Sequence, residues 1–232
     1  MRDVTTLIVR VAQALDAAGV PVVFTGGATV PLHVSREVAA HFRGTLDIDC
    51  VVQCVTSADY AGMGDDLVAA GFRQDLGAED WPICRWHLDG VLVDIMPTEA
   101  DVLGFVNRWY RSAVVDPLLV ELHGVEVPVF RVGYLMASKL DAFRSRGRGD
   151  FFASHDVEDV LMLWDGADRR LEEELLSGPA ARRAFVVEWI RELVAMAYVE
   201  DVVEGHVALG DARRAERLLT RLRAFLHDAG GH

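Results

Sequence analysis

Lysine is almost absent from this chain of 232 residues: of its 23 basic residues, all but Lys139 are arginine. Such a skew fits a GC-rich coding bias, and it singles out the one lysine that remains. Cysteine is scarce too. The three thiols, Cys50, Cys54 and Cys84, form no zinc-binding spacing, and with no secretion signal they read as reduced, Cys50 and Cys54 as core residues on one strand face. No uninterrupted apolar run approaches the ~20 residues of a membrane span. The opening stretch, MRDVTTLIVRVAQALDAAG, reads as an amphipathic helix with an internal Arg10 and not as a signal peptide. The expected location is cytoplasmic, with no membrane partner. Positive charge is in deficit, the formal net charge being −13, which argues against a sequence-blind nucleic-acid binder while leaving a local basic face open. Also missing are a P-loop, His-Glu-x-x-His, Gly-x-Ser-x-Gly and the dinucleotide-binding glycine triplet. The eight histidines are scattered, and His87 and His155 read as polar surface or core residues.

What is present is enough apolar material, 51% of the chain, to build a substantial core. Val4, Leu7, Ile8, Val11 and Leu15 have helical spacing, and Gly19 supplies the stop, so the pattern predicts a helix over 4–18. VPVVF (20–24) reads as a buried strand running into the turn Gly26-Gly27, and a second helix is expected from about Thr29 to about Phe42, with Pro31 in its first turn. A strand over 45–52 follows, then a helix over 58–70. Two short stretches of strand or loop come next, FRQDL and WPICRWHL, and then the strands VLVDIM (91–96) and VEVPVF. From Gly133 the apolar spacing is helical almost to the end. The expectation is an α/β (α+β) domain over 1–131, a small mixed sheet flanked by helices, followed by a helical domain over 132–232 that closes one side of a cleft.

The stretch TLDIDCVV carries the chemistry. Side chains at i and i+2 of a strand point the same way, about 6.6 Å apart along the axis, so Asp47 and Asp49 share a face with Thr45 while Ile48 and Cys50 turn to the core. Burying unpaired carboxylates is costly. Two of them at this spacing suit one or two divalent cations, and hard oxygen donors favour magnesium or manganese. The alternative is a strand end whose acids meet arginines such as Arg36 or Arg43. Three further features bear on the choice. Gly26-Gly27 at a strand-to-helix turn lets backbone N–H groups approach a phosphate. Asp94 is a third acid in a second apolar strand. Lys139 is a cation on the first helix past residue 131.

In this order, Gly-Gly, Thr-x-Asp-x-Asp, Asp, Lys, the residues resemble the nucleotidyltransferases of the DNA polymerase β superfamily, most of all the minimal toxin-like branch with the AbiEii-type and MenT-type enzymes. The toxin-like features are in KLDAFRSRGRGDFFASHDVEDVLML, with Lys139, Arg144, Asp156 and Asp159. The resemblance implies a nucleotidyltransferase fold and the transfer of an NMP group from an NTP to an acceptor hydroxyl, with release of pyrophosphate. It implies two metal ions, Mg2+ or Mn2+, held by Asp47, Asp49 and Asp94, with Asp94 either completing the metal site or taking the acceptor's proton. Gly26, Gly27, Thr45, Lys139 and Arg144 then bind the nucleotide, and Asp156 caps its helix or orients Lys139.

The acceptor is less legible. Arg213, Arg217 and Arg221, with Arg214 alongside, form a stripe that either contacts RNA phosphates or is a solvated helix face. The loop RSRGRGD offers Arg144, Arg146 and Arg148. tRNA is the first-choice acceptor, and the toxin-like reading brings a cognate antitoxin as partner. The rival is a small-molecule acceptor such as an aminoglycoside or lincosamide antibiotic, which the negative charge would attract. A third reading is a non-catalytic member that binds nucleotide or a partner protein.

Overall fold

The computed structural model describes residues 4–45, 47–53, 56–74, 84–104, 106–146, 149–207 and 211–230. Cys54, Arg148 and parts of the two stretches expected as strand or loop (75–76 and 81–83) lie outside them. The chain forms two compact units: residues 1–29 with 43–131, and residues 30–42 with 132–232.

The first unit is built on a seven-stranded mixed sheet whose strands lie in the order Arg73–Gln74 (β3), Arg85–Leu88 (β4), Val91–Pro97 (β5), Asp47–Val52 (β2), Val22–Thr25 (β1), Val125–Val129 (β7) and Leu118–Leu122 (β6). Helix α1 (Val4–Ala17) buries Leu7, Ile8, Val11 and Leu15, as its spacing predicts, and stops before Gly19, whose φ is +68°. Strand β1 (Val22–Thr25) follows. The next helix, α2 (Arg36–Ala39), belongs to the second unit. Strand β2 (Asp47–Val52) runs antiparallel to β1. Helix α3 (Ser57–Ala69) starts on a capping box in which the Thr56 hydroxyl and the Asp59 carboxylate each accept the other's backbone N–H. Its Tyr60 hydroxyl donates to the Ile95 carbonyl at 2.7 Å.

Beyond β3 (Arg73–Gln74), strands β4 (Arg85–Leu88) and β5 (Val91–Pro97) form a hairpin. Its two-residue turn is Asp89-Gly90, both at positive φ, a geometry that Asp-Gly favours. Helices α4 (Ala100–Leu103) and α5 (Tyr110–Ala113) are single turns, and a second hairpin, β6 (Leu118–Leu122) and β7 (Val125–Val129), closes the sheet. Strand β2 lies between β5, to which it is parallel, and β1, so both its flanks are paired. One face of this centre is the core, where Ile48, Cys50, Val93 and Ile95 are fully buried.

In the second unit α6 (Val132–Arg146), α7 (His155–Gly166), α8 (Asp168–Ser177), α9 (Ala180–Val194), α10 (Val199–His206) and α11 (Ala212–Gly230) pack around Trp164, Trp189, Leu135 and Met136. Phe225 of α11 meets Trp164 edge-on at 5.1 Å between ring centroids. The helix expected over 29–42 is broken. Gly27–Leu32 is a 3-10 segment containing Pro31, and α2 restarts at the Ser35 N-cap. Pro31 has no N–H to give a continuing helix, and β-branched Thr29 and Val30 precede it. Helix α2 lies against α7 at Gly166, where a Cβ would fall 2.6 Å from that of Val34. The Gly166 carbonyl accepts from the Ser35 N–H at 2.9 Å. These contacts draw 30–42 into the helical unit. Among the described residues no helix is long and apolar enough to cross a membrane.

Candidate active site

The face of the sheet opposite Ile48 and Cys50 carries a row of polar side chains at one level of four adjacent strands. Register pairs Thr25 of β1 with Asp49 of β2, Asp49 with Asp94 of β5, and Asp94 with Arg85 of β4. Directly paired residues project from the same face, so these four form a line across the strands, with Asp47 two residues from Asp49 on the same side. Asp47 and Asp49 are half-buried, which suits groups that meet a solvent-borne ligand. The Thr45 hydroxyl precedes the strand and accepts the Asp47 N–H at 3.3 Å.

Gly26 is required by this row. Its φ is +76°, and a Cβ there would lie 1.9 Å from Asp49 Oδ2. The first glycine of the pair thus leaves the room in which the Asp49 carboxylate sits. Gly27 opens the 3-10 segment, while the Gly26 carbonyl accepts from the Thr29 N–H and hydroxyl at 3.3 and 3.0 Å. No long α-helix starts at this turn, so the phosphate-binding helix end expected there is missing, and only the turn's backbone groups remain for that role.

Asp94 is held by Arg85. Nε donates to Oδ1 and a terminal nitrogen to Oδ2, both at 2.7 Å, with the side chains 19% and 13% exposed. The hydrogen bonds that Arg85 donates to Asp94 raise the Arg85 pKa above its ordinary value against the opposing effect of burial, and the charges of Asp94 and Asp47 add to the rise. Sequence reasoning missed Arg85. The signal was Asp89-Gly90: a two-residue turn pairs Leu88 with Val91 and thereby sets Arg85 opposite Asp94. Behind the row Cys50 and Cys84 are free, buried thiols. Burial first, and then the charges of Asp49 and Asp94, push the Cys50 pKa well up, and burial takes Cys84 to about 12.

The second cluster lies within the helical unit. Lys139 on α6 is buried, its Nζ 2.7 Å from Asp159 and 3.3 Å from Asp156, both on α7. Arg146 also reaches Asp156, at 3.3 Å. The cap of α7 is Ser154, whose hydroxyl accepts from the Val157 N–H, so Asp156 has no capping role and faces Lys139. Arg144 pairs with Glu192 at 2.8 Å and Glu188 at 3.5 Å and lies over the Phe185 ring. The stripe on α11 is divided. Arg214 binds Asp165 and Glu37, and Arg221 binds Glu172 and the Trp164 carbonyl, whereas Arg213 and Arg217 are exposed.

Among the described residues no group of three or more His, Cys, Asp or Glu side chains is arranged to hold a metal ion. Asp47 and Asp49 still supply the donors magnesium takes, since it is commonly held by one or two carboxylates and completes its shell with water and substrate phosphate. The fit is therefore to a site finished by the substrate.

No protein-family model matches the chain, and a search of curated proteins finds no match. Solved structures do match. One is the crystal structure of an antigenic nucleotidyltransferase-like protein from Paracoccidioides brasiliensis, with 15% identity, a TM-score of 0.53, and coverage of 85% of this chain and 91% of that one. Another is the antibiotic-resistance factor ANT(2'')-Ia in solution, at 16% identity over 81% of this chain and 94% of that one. Its TM-score is 0.49. With its mixed central sheet flanked by helices, this chain has the nucleotidyltransferase fold.

Proposed function

We propose that the chain is a magnesium-dependent nucleotidyltransferase of the toxin-like kind, with tRNA as acceptor and a cognate antitoxin as partner. The observation that carries this reading is the placement of Asp47 and Asp49 on one face of β2, with Asp49 seated in the space that Gly26 leaves open. An acceptor hydroxyl oxygen bonds to the α-phosphorus of an NTP, the bond from that phosphorus to the bridging oxygen breaks, pyrophosphate leaves, and the hydroxyl proton passes to solvent. Asp47 and Asp49 hold magnesium, which when bound supplies positive charge against the phosphoryl oxygens. Backbone N–H groups at Gly26-Gly27 and the Thr45 hydroxyl orient phosphate oxygens. Lys139 and Arg144, to which the resemblance gives the triphosphate charge, belong to the helical unit, where Asp156 and Asp159 hold the first and Glu192 and Glu188 the second.

A second acceptor class has an observation in its favour. The net charge is −13, and two arginines of the α11 stripe are consumed by internal ion pairs, which favours a small cationic acceptor such as an aminoglycoside. Incubation with each α-labelled NTP and magnesium, against total tRNA and a panel of aminoglycosides and lincosamides, separates the two. Label is expected on tRNA and is lost in Asp47→Ala/Asp49→Ala. Label on a drug selects the second acceptor, and label on nothing, with folded protein, contradicts nucleotidyl transfer.

A further inference from the structure

We propose that Arg85 stands in for a second metal ion, so that the carboxylate row takes one divalent cation. This rests on the reading of Asp47 and Asp49 as metal ligands. Asp94 projects beside Asp49 from the neighbouring parallel strand, at a strand spacing of about 4.8 Å. Unscreened, Asp94 would add a third negative charge beside the pair Asp47 and Asp49. The guanidinium alters that balance. It grips both oxygens of Asp94 at 2.7 Å, covering the edge by which that carboxylate would chelate a cation. Counting only these side chains, three carboxylates and one guanidinium carry two net negative charges, the charge of one divalent ion. A second ion at Asp94 would have to displace a bidentate, largely buried pair and then sit beside a fixed positive charge. Arginine suits this place better than lysine would, since its planar fork matches the carboxylate and it stays charged at any working pH. Asp94 is then a positioning residue that aims Arg85, and the acceptor's proton leaves by another route.

Manganese alone is the probe, titrated into the full chain and counted by the electron paramagnetic resonance of the free ion, with no nucleotide and no turnover. Wild-type protein is expected to bind one ion, and Asp47→Asn/Asp49→Asn none. Arg85→Met, which keeps the aliphatic stem and removes the charge, is expected to bind a second ion or to hold the first at least tenfold tighter. Arg85→Met/Asp94→Asn returns to one ion, and Arg85→Lys stays at one. Asp94→Asn alone, which leaves the guanidinium in place without its partner, still binds one ion but more weakly; this measurement stands even where Arg85→Met does not fold. Two ions in the wild type, one of them lost in Asp94→Asn, would overturn the inference and leave the magnesium reading intact. Identical stoichiometry and affinity in Arg85→Met would reduce Arg85–Asp94 to a cross-strand structural pair. No ion dependent on Asp47 and Asp49 overturns the metal reading and this inference together.

Discussion

Gly26 shows how much of the site depends on an atom that is absent. A methyl there would collide with the Asp49 carboxylate at 1.9 Å and would force a side chain onto a φ of +76°. Gly26→Ala is therefore expected to cost about 2 kcal/mol of stability and to move Asp49 from its seat. A thermal melt reads the first effect, and loss of manganese binding the second; a variant with wild-type values in both contradicts the geometry. The thiols behind the row give a second prediction. Cys84 keeps its proton to about 12 in the folded chain, against an ordinary value of 9.0. The folded state thus binds a proton that the unfolded chain releases, a stabilisation complete below pH 9 and lost as pH rises toward 12. In a Cys54→Ser background, Ellman's reagent at pH 8 is expected to label neither Cys50 nor Cys84 until the protein is unfolded. At this scale the acid pair was legible, because period-two alternation in an apolar strand sets both carboxylates on one face. Arg85 was hidden because its importance arises only when β4 folds back on β5.

At the level of elements, helices α6 and α7 are joined by a buried ion cluster. Lys139 is 10% exposed in its side chain, and Asp159 1%. Removing the cation takes from the buried Asp159 its 2.7 Å ion pair and leaves Asp156 to Arg146, so Lys139→Met is expected to cost about 3–5 kcal/mol in urea denaturation. Unchanged stability would contradict the cluster. The contact between α2 and α7 depends on Gly166, whose Cβ would meet Val34 and Val38 at under 3.0 Å. Gly166→Ala is expected to cost about 1–3 kcal/mol by overpacking, with urea denaturation again the measure. The long amphipathic helices were readable from apolar spacing: α11 buries Ala215, Leu218, Leu219, Leu222 and Phe225, as the pattern requires. Residues 29–42 were not readable. Their helical-looking composition is interrupted at Pro31, and what holds them is packing against α7, far away in sequence. Strand β6 also escaped notice, because its partner β7 and the His123-Gly124 turn define it more than its own LLVEL pattern does.

For the whole molecule, charge separates the acceptor classes. Each RNA phosphate neutralised by a basic side chain adds about −0.7 to the slope of log affinity against log salt for a single strand. With Arg214 and Arg221 committed internally, a shallow slope of a few phosphates is expected for tRNA, and Arg213→Ala/Arg217→Ala should lower it further. A slope unchanged by that variant would place the RNA on another face. Net charge and fold class were legible from composition and motif order. The division of the arginine stripe was not, because spacing alone cannot tell an exposed arginine from one folded back onto a neighbouring helix.

On the proposed reading, Asp47 and Asp49 form the metal-binding edge of a nucleotidyl-transfer site. Crystals grown with manganese and an NTP analogue that cannot be cleaved between its α- and β-phosphates test it most directly, through the anomalous signal of the ion. One peak is expected, at Asp47 and Asp49, with the triphosphate near the Gly26-Gly27 turn. A nucleotide bound elsewhere, or bound there with no ion against Asp47 and Asp49, would contradict that reading.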